Sequence, residues 1–253
     1  MPESSQPANH LTIIAGPSCA GKTPLYRAFK YLFAREAASF KTIIPYTTRR
    51  PRPDEQDGTD YHFVDRKKLD SLRKRTQMIT LSVRGDRQGV DLEEIQALLE
   101  AGHTLYEGNT YLGRELIRYA GMSGIAHLSI FVSPFYLSEI RTFIRQLGKN
   151  GARRMISDIM RKKIEKRARR KKYQSAENID QRVAEVFDEL VFAGEFDFVL
   201  VNPLGEEDPV WDDPAQLSGS ALSVVQTFAE ILIHGSSPQA EKWPASPAFI
   251  NTL

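Results

Sequence analysis

The stretch Gly16-Pro17-Ser18-Cys19-Ala20-Gly21-Lys22-Thr23 decides the fold of this 253-residue chain. Its spacing is G-x-x-x-x-G-K-[ST], in which the glycines let the backbone curl so that successive N–H groups point inward at phosphate oxygens. A short apolar run, Leu11 to Ala15, precedes it and reads as a buried strand. Apolar residues at helical spacing follow from about residue 22 to residue 36. A phosphate-binding loop between a strand and a helix is therefore predicted.

This loop predicts how a nucleoside triphosphate is held. All eight residues, Gly16 to Thr23, are assigned to ATP binding. The helix that follows adds the positive end of its dipole. Lys22 is expected to reach the β- and γ-phosphates, and the Thr23 hydroxyl is expected to ligate Mg²⁺. Cys19 is interpreted as a small filler of the loop, because the sequence shows no partner that would activate a thiol.

Further strands and helices alternate along the chain. Predicted strands cover residues 41–45, 103–107, 126–132 and 196–201, and predicted helices cover 92–101, 179–191 and 221–233 with another opening at Pro134. Such alternation indicates an α/β fold with a parallel sheet flanked by helices on both faces. The charged, proline-rich stretch 49–58 is predicted to be a loop.

Composition limits the classes of protein that the chain can represent. Hydrophobic residues make up 41% and charged residues 26%, as in ordinary globular domains, and Cys19 is the single cysteine, so no internal disulfide can form. No apolar run approaches the length of about 20 residues that spans a bilayer. The first nine residues lack the pattern of a signal peptide. We therefore expect a cytoplasmic protein with no membrane partner.

The net charge of +2 hides an uneven distribution. Basic residues dominate from Lys149 to Lys172, whereas residues 183–241 contain no lysine or arginine. Residues 206–214, here called the acidic loop, combine acids with prolines, and the sequence assigns them no function. A basic run can be a solvated helix face or a nucleic-acid surface, but the near absence of aromatic residues gives base stacking little support.

A second cluster carries a family resemblance. Tyr46-Thr-Thr-Arg49-Arg-Pro-Arg52-Pro, followed by Asp60-Tyr61-His-Phe63, resembles the guanylate kinase family, in which T-T-R-x-P-R and D-Y-x-F segments follow the phosphate loop. The resemblance implies that Arg49, Arg52 and Tyr61 hold the 5′-phosphate of the accepting nucleotide. Guanidinium groups bind phosphate through paired hydrogen bonds, which makes this assignment physically reasonable.

The resemblance extends to about Asn202 and implies further roles. Arg182 aligns through I-x-x-R-[VL], and Arg170 and Lys171 fall where the family has a mobile lid, so these three are expected to stabilise the migrating phosphoryl group. Asn202 matches a position that contacts the donor base. Glu107 is a candidate for holding Mg²⁺ through water.

We expect the following division: a flexible N-terminus at 1–10, a guanylate kinase-like domain at 11–234 with an acceptor-binding subdomain at about 46–90 and a basic lid at about 149–178, and a C-terminal tail at 235–253.

The residues that read guanine in the family are replaced here. Ile79 or Thr80 stands in place of a glutamate, and Gln88-Gly89-Val90 replaces Y-G-[ST]. Glu107-Gly108-Asn109 keeps the first acid of its segment but has an amide in place of the second. Because amides both donate and accept, Gln88 and Asn109 could read the edge of another base.

Three functions remain open at this stage. The first is ATP- and Mg²⁺-dependent phosphoryl transfer to a nucleoside monophosphate whose base is uncertain. Such chemistry requires positioning and charge neutralisation more than a general base. The second is a catalytically inactive guanylate kinase-like module that binds a protein partner, against which the intact phosphate loop argues. The third, nucleic-acid binding, is disfavoured, and the sequence does not indicate an oligomeric state.

Overall fold

A computed structural model describes residues 9–171 and 179–245. The helices within these ranges are α1 (Lys22–Leu32), α2 (Ala34–Ala37), α3 (Arg66–Arg73), α4 (Leu92–Ala101), α5 (Thr110–Ser123), α6 (Leu137–Arg170), α7 (Ile179–Val191) and α8 (Gly219–His234). The strands are β1 (Leu11–Ala15), β2 (Phe40–Thr42), β3 (Tyr46–Thr47), β4 (His62–Phe63), β5 (Met78–Val83), β6 (Asp86–Asp91), β7 (His103–Glu107), β8 (His127–Ser133) and β9 (Phe198–Val201). Short 3-10 helices lie at Phe192–Glu195, Pro209–Trp211 and Pro214–Gln216.

The central sheet is parallel and has the strand order β2-β7-β1-β8-β9. β1 is completely buried, as expected for a middle strand covered on both faces. One apolar cluster packs α5, α6 and α7 on one face, and a second packs α1 and α8 on the other. The structure therefore confirms the predicted α/β class with helices on both faces of a parallel sheet.

The register of the sheet determines what meets at its carboxyl edge. Ile14 of β1 pairs with Glu107 of β7, so the loop after β1 begins next to the Glu107 side chain. In parallel sheets, ligand sites lie outside the carboxyl ends of the strands.

A second, smaller sheet has the order β4-β3-β6-β5 and lies within residues 46–91. β5 and β6 form an antiparallel hairpin whose turn residue Arg84 has a φ of 55°, next to Gly85 with a φ of 86°. The sequence interpretation assigned no element to this hairpin. We propose that this sheet is the acceptor-binding subdomain.

α6 is longer than the predicted lid and is interrupted at Gly148, whose φ of 66° and ψ of 169° are not helical. After this break, every fourth residue is buried: Ala152, Ile156, Met160 and Ile164. This stripe packs in the same cluster as the apolar face of α7. The basic segment is therefore an amphipathic helix with a core face. The remainder of the predicted lid, residues 172–178, lies outside the described residues.

Residues 235–245 of the predicted C-terminal tail pack against the sheet. Glu241 exchanges two backbone hydrogen bonds with Val199 of β9. Trp243 is buried, and its indole N–H donates to the Glu241 carboxylate.

Several predicted boundaries shift. β2 ends at Thr42 because the chain then turns toward the second sheet, which leaves 43–45 outside the strand. The first predicted helix is divided at Phe33, whose φ of −124° and ψ of 48° are not helical, into α1 and α2. The described part of the chain contains no helix that is long and apolar enough to cross a membrane.

Candidate functional site: a phosphate loop facing an arginine clamp

The loop between β1 and α1 owes its shape to two glycines. Gly16 has a φ of 147° and Gly21 a φ of 83°, a region that side chains rarely adopt. A Cβ on Gly16 would lie 2.3 Å from the Val132 carbonyl oxygen, and one on Gly21 would lie 2.4 Å from the Asn202 amide nitrogen. α1 begins directly after the loop at Lys22, so its free N–H groups and dipole point at the cleft.

Lys22 and Thr23 lie at the centre of this loop. The Lys22 ammonium donates to the carbonyl oxygens of Gly16 and Pro17, at 2.8 and 2.9 Å. The Thr23 hydroxyl donates to Glu107 at 2.7 Å. Burial lowers the pKa of Lys22 and raises that of Glu107, although each charge partly offsets the effect on the other.

The Thr23 hydroxyl and the Glu107 carboxylate form an oxygen donor set of the kind that fits Mg²⁺. Mg²⁺ usually takes one or two carboxylates and completes its shell with water and substrate phosphates. These two residues could therefore hold a metal only together with a bound nucleotide.

Asn202 differs from the expectation that it contacts the donor base. Its side chain is completely buried. The amide nitrogen donates to the Ala20 carbonyl at 3.0 Å, and the amide oxygen accepts from the Leu204 N–H at 3.2 Å. In this structure the Asn202 side chain supports the phosphate loop from behind and has no exposed surface, and a contact to the donor base stays a prediction.

Cys19 is buried in the loop, and burial raises the pKa of its thiol to about 11. It has a φ of 62°. A thiol in this state is a poor nucleophile at neutral pH, in keeping with the interpretation as a filler.

The predicted acceptor clamp is occupied by a carboxylate of the chain itself. Arg49 donates from both terminal nitrogens to the two oxygens of Glu55, at 2.6 and 2.5 Å. Arg52 donates to Glu55 from its backbone N–H and its guanidinium, at 2.9 and 3.0 Å. The Arg49 guanidinium also lies over the Tyr61 ring, 4.9 Å from its centroid. The structure thus brings Arg49 and Arg52 together around one anionic group, with Tyr61 beside the Arg49 guanidinium.

Gln88 and Asn109 also meet. The Asn109 amide nitrogen donates to the Gln88 side-chain oxygen at 2.6 Å, while the Asn109 oxygen caps α5 by accepting from the Leu112 N–H. Both residues line the cleft, whereas Ile79, Thr80 and Val90 do not among the described residues. The Gln88 amide nitrogen makes no hydrogen bond within the described part of the chain.

The basic residues expected in the lid divide into two groups. Lys171 and Arg182 line the cleft, where Lys171 pairs with Asp54 at 2.5 Å and Arg182 donates to the Ser18 hydroxyl at 2.8 Å. Arg170 instead turns away from the cleft. It pairs with Asp212 and donates to the Glu207 carbonyl.

Arg167 is a basic residue of the cleft that the sequence interpretation did not assign to the site. It is only 7% exposed, lines the cleft and donates to Glu206 at 2.8 Å. The apolar stripe of α6 could have indicated the position of Arg167 from the sequence. Arg167 follows Ile164 by three positions and therefore lies on the same, buried face of the helix. Positive charge alone did not indicate it, since nearly every neighbour in this segment is basic.

Except for Arg170 and Asn202, the side chains described above share one cleft of about 690 Å³. Its walls include the phosphate loop, the Arg49 and Arg52 clamp, and the inner ends of α6 and α7. One set of phosphate-binding groups therefore faces another across a single space.

A parallel sheet with a phosphate loop at its carboxyl edge and a second anion clamp opposite defines a protein of the P-loop nucleotide kinase class. A family model described as guanylate kinase matches residues 8–165, and the chain belongs to the guanylate kinase family.

Individual comparisons agree with this assignment. A guanylate kinase of Alkalilimnicola ehrlichii is 30% identical over 193 residues, which cover 76% of this chain and 80% of that protein. A guanylate kinase of Dechloromonas aromatica is 29% identical over 196 residues, covering 77% and 82%. The crystal structure of guanylate kinase from Anaplasma phagocytophilum superposes with a TM-score of 0.54 at 16% identity, covering 91% of this chain and 88% of that one, and shows the shared fold.

Proposed function

We propose that this protein transfers the γ-phosphoryl group of ATP to a nucleoside monophosphate. The observation that carries the proposal is the single cleft in which Lys22 and Thr23 face Arg49 and Arg52. Transfer from ATP to a nucleoside monophosphate brings together two phosphorylated reactants that must be aligned and have their charges neutralised, and this cleft has cationic groups on both sides.

The donor half is proposed to act as follows. The backbone of Gly16–Thr23 and the Lys22 ammonium bind the phosphates of ATP. Thr23 and Glu107 are the residues that would hold Mg²⁺, which would supply charge neutralisation when bound. Arg182, Lys171 and Arg167 bring positive charge to the transferring group.

The acceptor half is proposed to bind a 5′-phosphate at Arg49, Arg52 and Tyr61, in place of the Glu55 carboxylate. Gln88 and Asn109 are the candidates for contacts to the base. The two acids that read guanine in the family are replaced here, one by Ile79 or Thr80 and the other by the amide Asn109, and the hydroxyl residue of Y-G-[ST] is replaced by Val90. The acceptor base is therefore left open by the proposal.

The test is a coupled phosphoryl-transfer assay with ATP and Mg²⁺ against GMP, AMP, CMP, UMP, dTMP and their deoxy forms. Lys22→Ala should abolish turnover with any acceptor found, whereas Lys67→Ala on the exposed face of α3 should leave it unchanged. Turnover with one acceptor makes Gln88 and Asn109 the next residues to exchange. Binding of ATP without turnover on any acceptor would overturn the proposal and favour the inactive protein-binding module.

A further inference from the structure

The acidic loop, residues 206–214, lies against the basic end of α6. The Arg167 guanidinium donates to the Glu206 carboxylate at 2.8 Å. Arg170 pairs with Asp212 and donates to the Glu207 carbonyl at 2.9 Å. One turn earlier in the helix, the Lys163 ammonium donates to the carbonyl of Pro203, just before the loop. Three cations of one helix thus contact one short segment.

The same segment is attached to the phosphate loop. The Glu206 backbone N–H donates to the Cys19 carbonyl at 3.4 Å. Asn202, four residues earlier, donates from its side chain to the Ala20 carbonyl at 3.0 Å. These two hydrogen bonds therefore fix residues 202–206 relative to the phosphate loop.

Glu206 and Arg167 are shielded from solvent, with side chains 18% and 8% exposed. Burial would raise the pKa of Glu206, but the charge and hydrogen bond of Arg167 and the charges of Lys22 and Lys171 together lower it. The carboxylate is therefore ionised at neutral pH, and the ion pair is a charge-assisted hydrogen bond within the cleft wall.

We propose that Glu206 is a positioning residue that holds Arg167 in a fixed place relative to the phosphate loop, and that the acidic loop is the surface on which the basic end of α6 docks. The backbone of Glu206 fixes one end of this connection at Cys19, and its side chain fixes the other at Arg167. The predicted effect of Glu206 on turnover rests on the proposed kinase function. The docking of α6 on the acidic loop does not depend on that function.

Hydrogen–deuterium exchange of the ligand-free protein tests the docking. Glu206→Gln removes the charge while keeping the side-chain shape, and we expect faster exchange in residues 160–170 at the end of α6. Asp213→Asn is the matched control, because Asp213 lies in the same loop but accepts hydrogen bonds from Ala215 and Gln216, which directly follow the loop. Exchange in Glu206→Gln equal to that of wild type would overturn the docking, whatever the enzyme's activity.

Steady-state kinetics test the positioning role. For the acceptor found in the assay panel, we expect Glu206→Gln to lower kcat about tenfold with little change in the acceptor KM, since a misplaced cation acts in the transition state. In a double-mutant cycle, Glu206→Gln should have almost no effect in an Arg167→Gln background. Additive losses would show that Glu206 does not act through Arg167. If wild type turns over no acceptor, the proposed function fails, and the exchange experiment still decides the docking.

Discussion

Glu55 lies between the two arginines of the clamp and accepts hydrogen bonds from both. Its side chain is 10% exposed. Burial alone would raise its pKa, but the hydrogen bonds and charges of Arg49 and Arg52 outweigh burial and lower the pKa from its usual value of 4.5. The ionised carboxylate is therefore more stable in the folded protein than in the unfolded chain, and it aligns both guanidinium groups toward one point.

This lowered pKa predicts a pH-dependent contribution to stability. The contribution is fully present above pH 4.5 and is lost as the pH falls through the lower folded value. Glu55→Gln lacks the titrating group, so the difference in unfolding free energy between wild type and this variant should narrow on acidification from pH 7. Urea unfolding at pH 7, 5, 4 and 3 measures it. A difference that stays constant over this range would contradict the ion-pair interpretation.

Arg52 allows a kinetic test of the clamp. If it binds the acceptor phosphate, Arg52→Ala should raise the acceptor KM about tenfold to a hundredfold, because hydrogen bonds to charged groups contribute about 1.5–3 kcal/mol. The KM for ATP should change little. Initial rates with varied acceptor measure both, with Arg35→Ala on the exposed side of α2 as control. Acceptor kinetics equal to wild type would remove Arg52 from the clamp.

At the level of single residues, the sequence could place groups whose spacing carries chemistry. The G-x-x-x-x-G-K-[ST] spacing indicated Lys22 and Thr23, and the resemblance indicated the arginine pair; their roles stay predictions. It could not show that Asn202 is enclosed, because its burial depends on contacts between the end of β9 and the phosphate loop, and its partner Ala20 is 182 residues away in sequence. Nor could charge distinguish Arg167 from Arg170.

At the level of elements, α6 shows how one helix serves two purposes. Its buried stripe packs against α7, while its basic residues face the cleft and the acidic loop. The sequence interpretation recognised the basic residues of this segment but not its buried stripe. A run of basic residues is also typical of a helix face exposed to solvent, so the charges alone did not indicate a core-facing side. The β5–β6 hairpin was missed as well, since its residues alternate weakly between apolar and polar.

The buried stripe predicts that neighbouring residues of α6 contribute very differently to the free energy of unfolding. Ile156 is 0% exposed and Met155 is 40% exposed. Ile156→Ala should lower the free energy of unfolding by about 2–5 kcal/mol through loss of buried contacts and the cavity left behind. Met155→Ala should change it by about 0.5 kcal/mol or less. Denaturant unfolding of the two variants measures this, and equal losses would contradict the assigned helix face.

At the level of the whole molecule, both sheets contribute residues to the cleft, and the segment 43–45 that leads from β2 to β3 also lines it. Alternating strand and helix patterns were sufficient to predict the central parallel sheet, because its strands β1, β8 and β9 are rich in apolar residues. The docking of residues 235–245 was not predictable, since the segment has no periodicity and its contact to β9 is made by backbone atoms and one tryptophan.

The burial of Trp243 predicts that its replacement lowers the stability of the whole protein. Trp243 is 6% exposed and packs in the same cluster as α6 and α7. Trp243→Ala should lower the free energy of unfolding by about 3–5 kcal/mol. Ser236→Ala, at an exposed position shortly before it, serves as control. Thermal unfolding followed by circular dichroism would show a lowered Tm for the first variant alone, and an unchanged Tm would mean that residues 241–245 contribute no stability.

The burial of Cys19 has a practical consequence for fluorescent labelling of this enzyme. A thiol that is enclosed and largely protonated reacts slowly with maleimides, and the chain has no other cysteine. Two new cysteines, Met122→Cys on α5 and Arg169→Cys on α6, would be exposed and could carry a fluorophore pair while Cys19 is kept. Energy transfer between the fluorophores would report the distance from the basic end of α6 to α5 in the presence of each nucleotide in turn. The phosphate loop would keep its native Cys19.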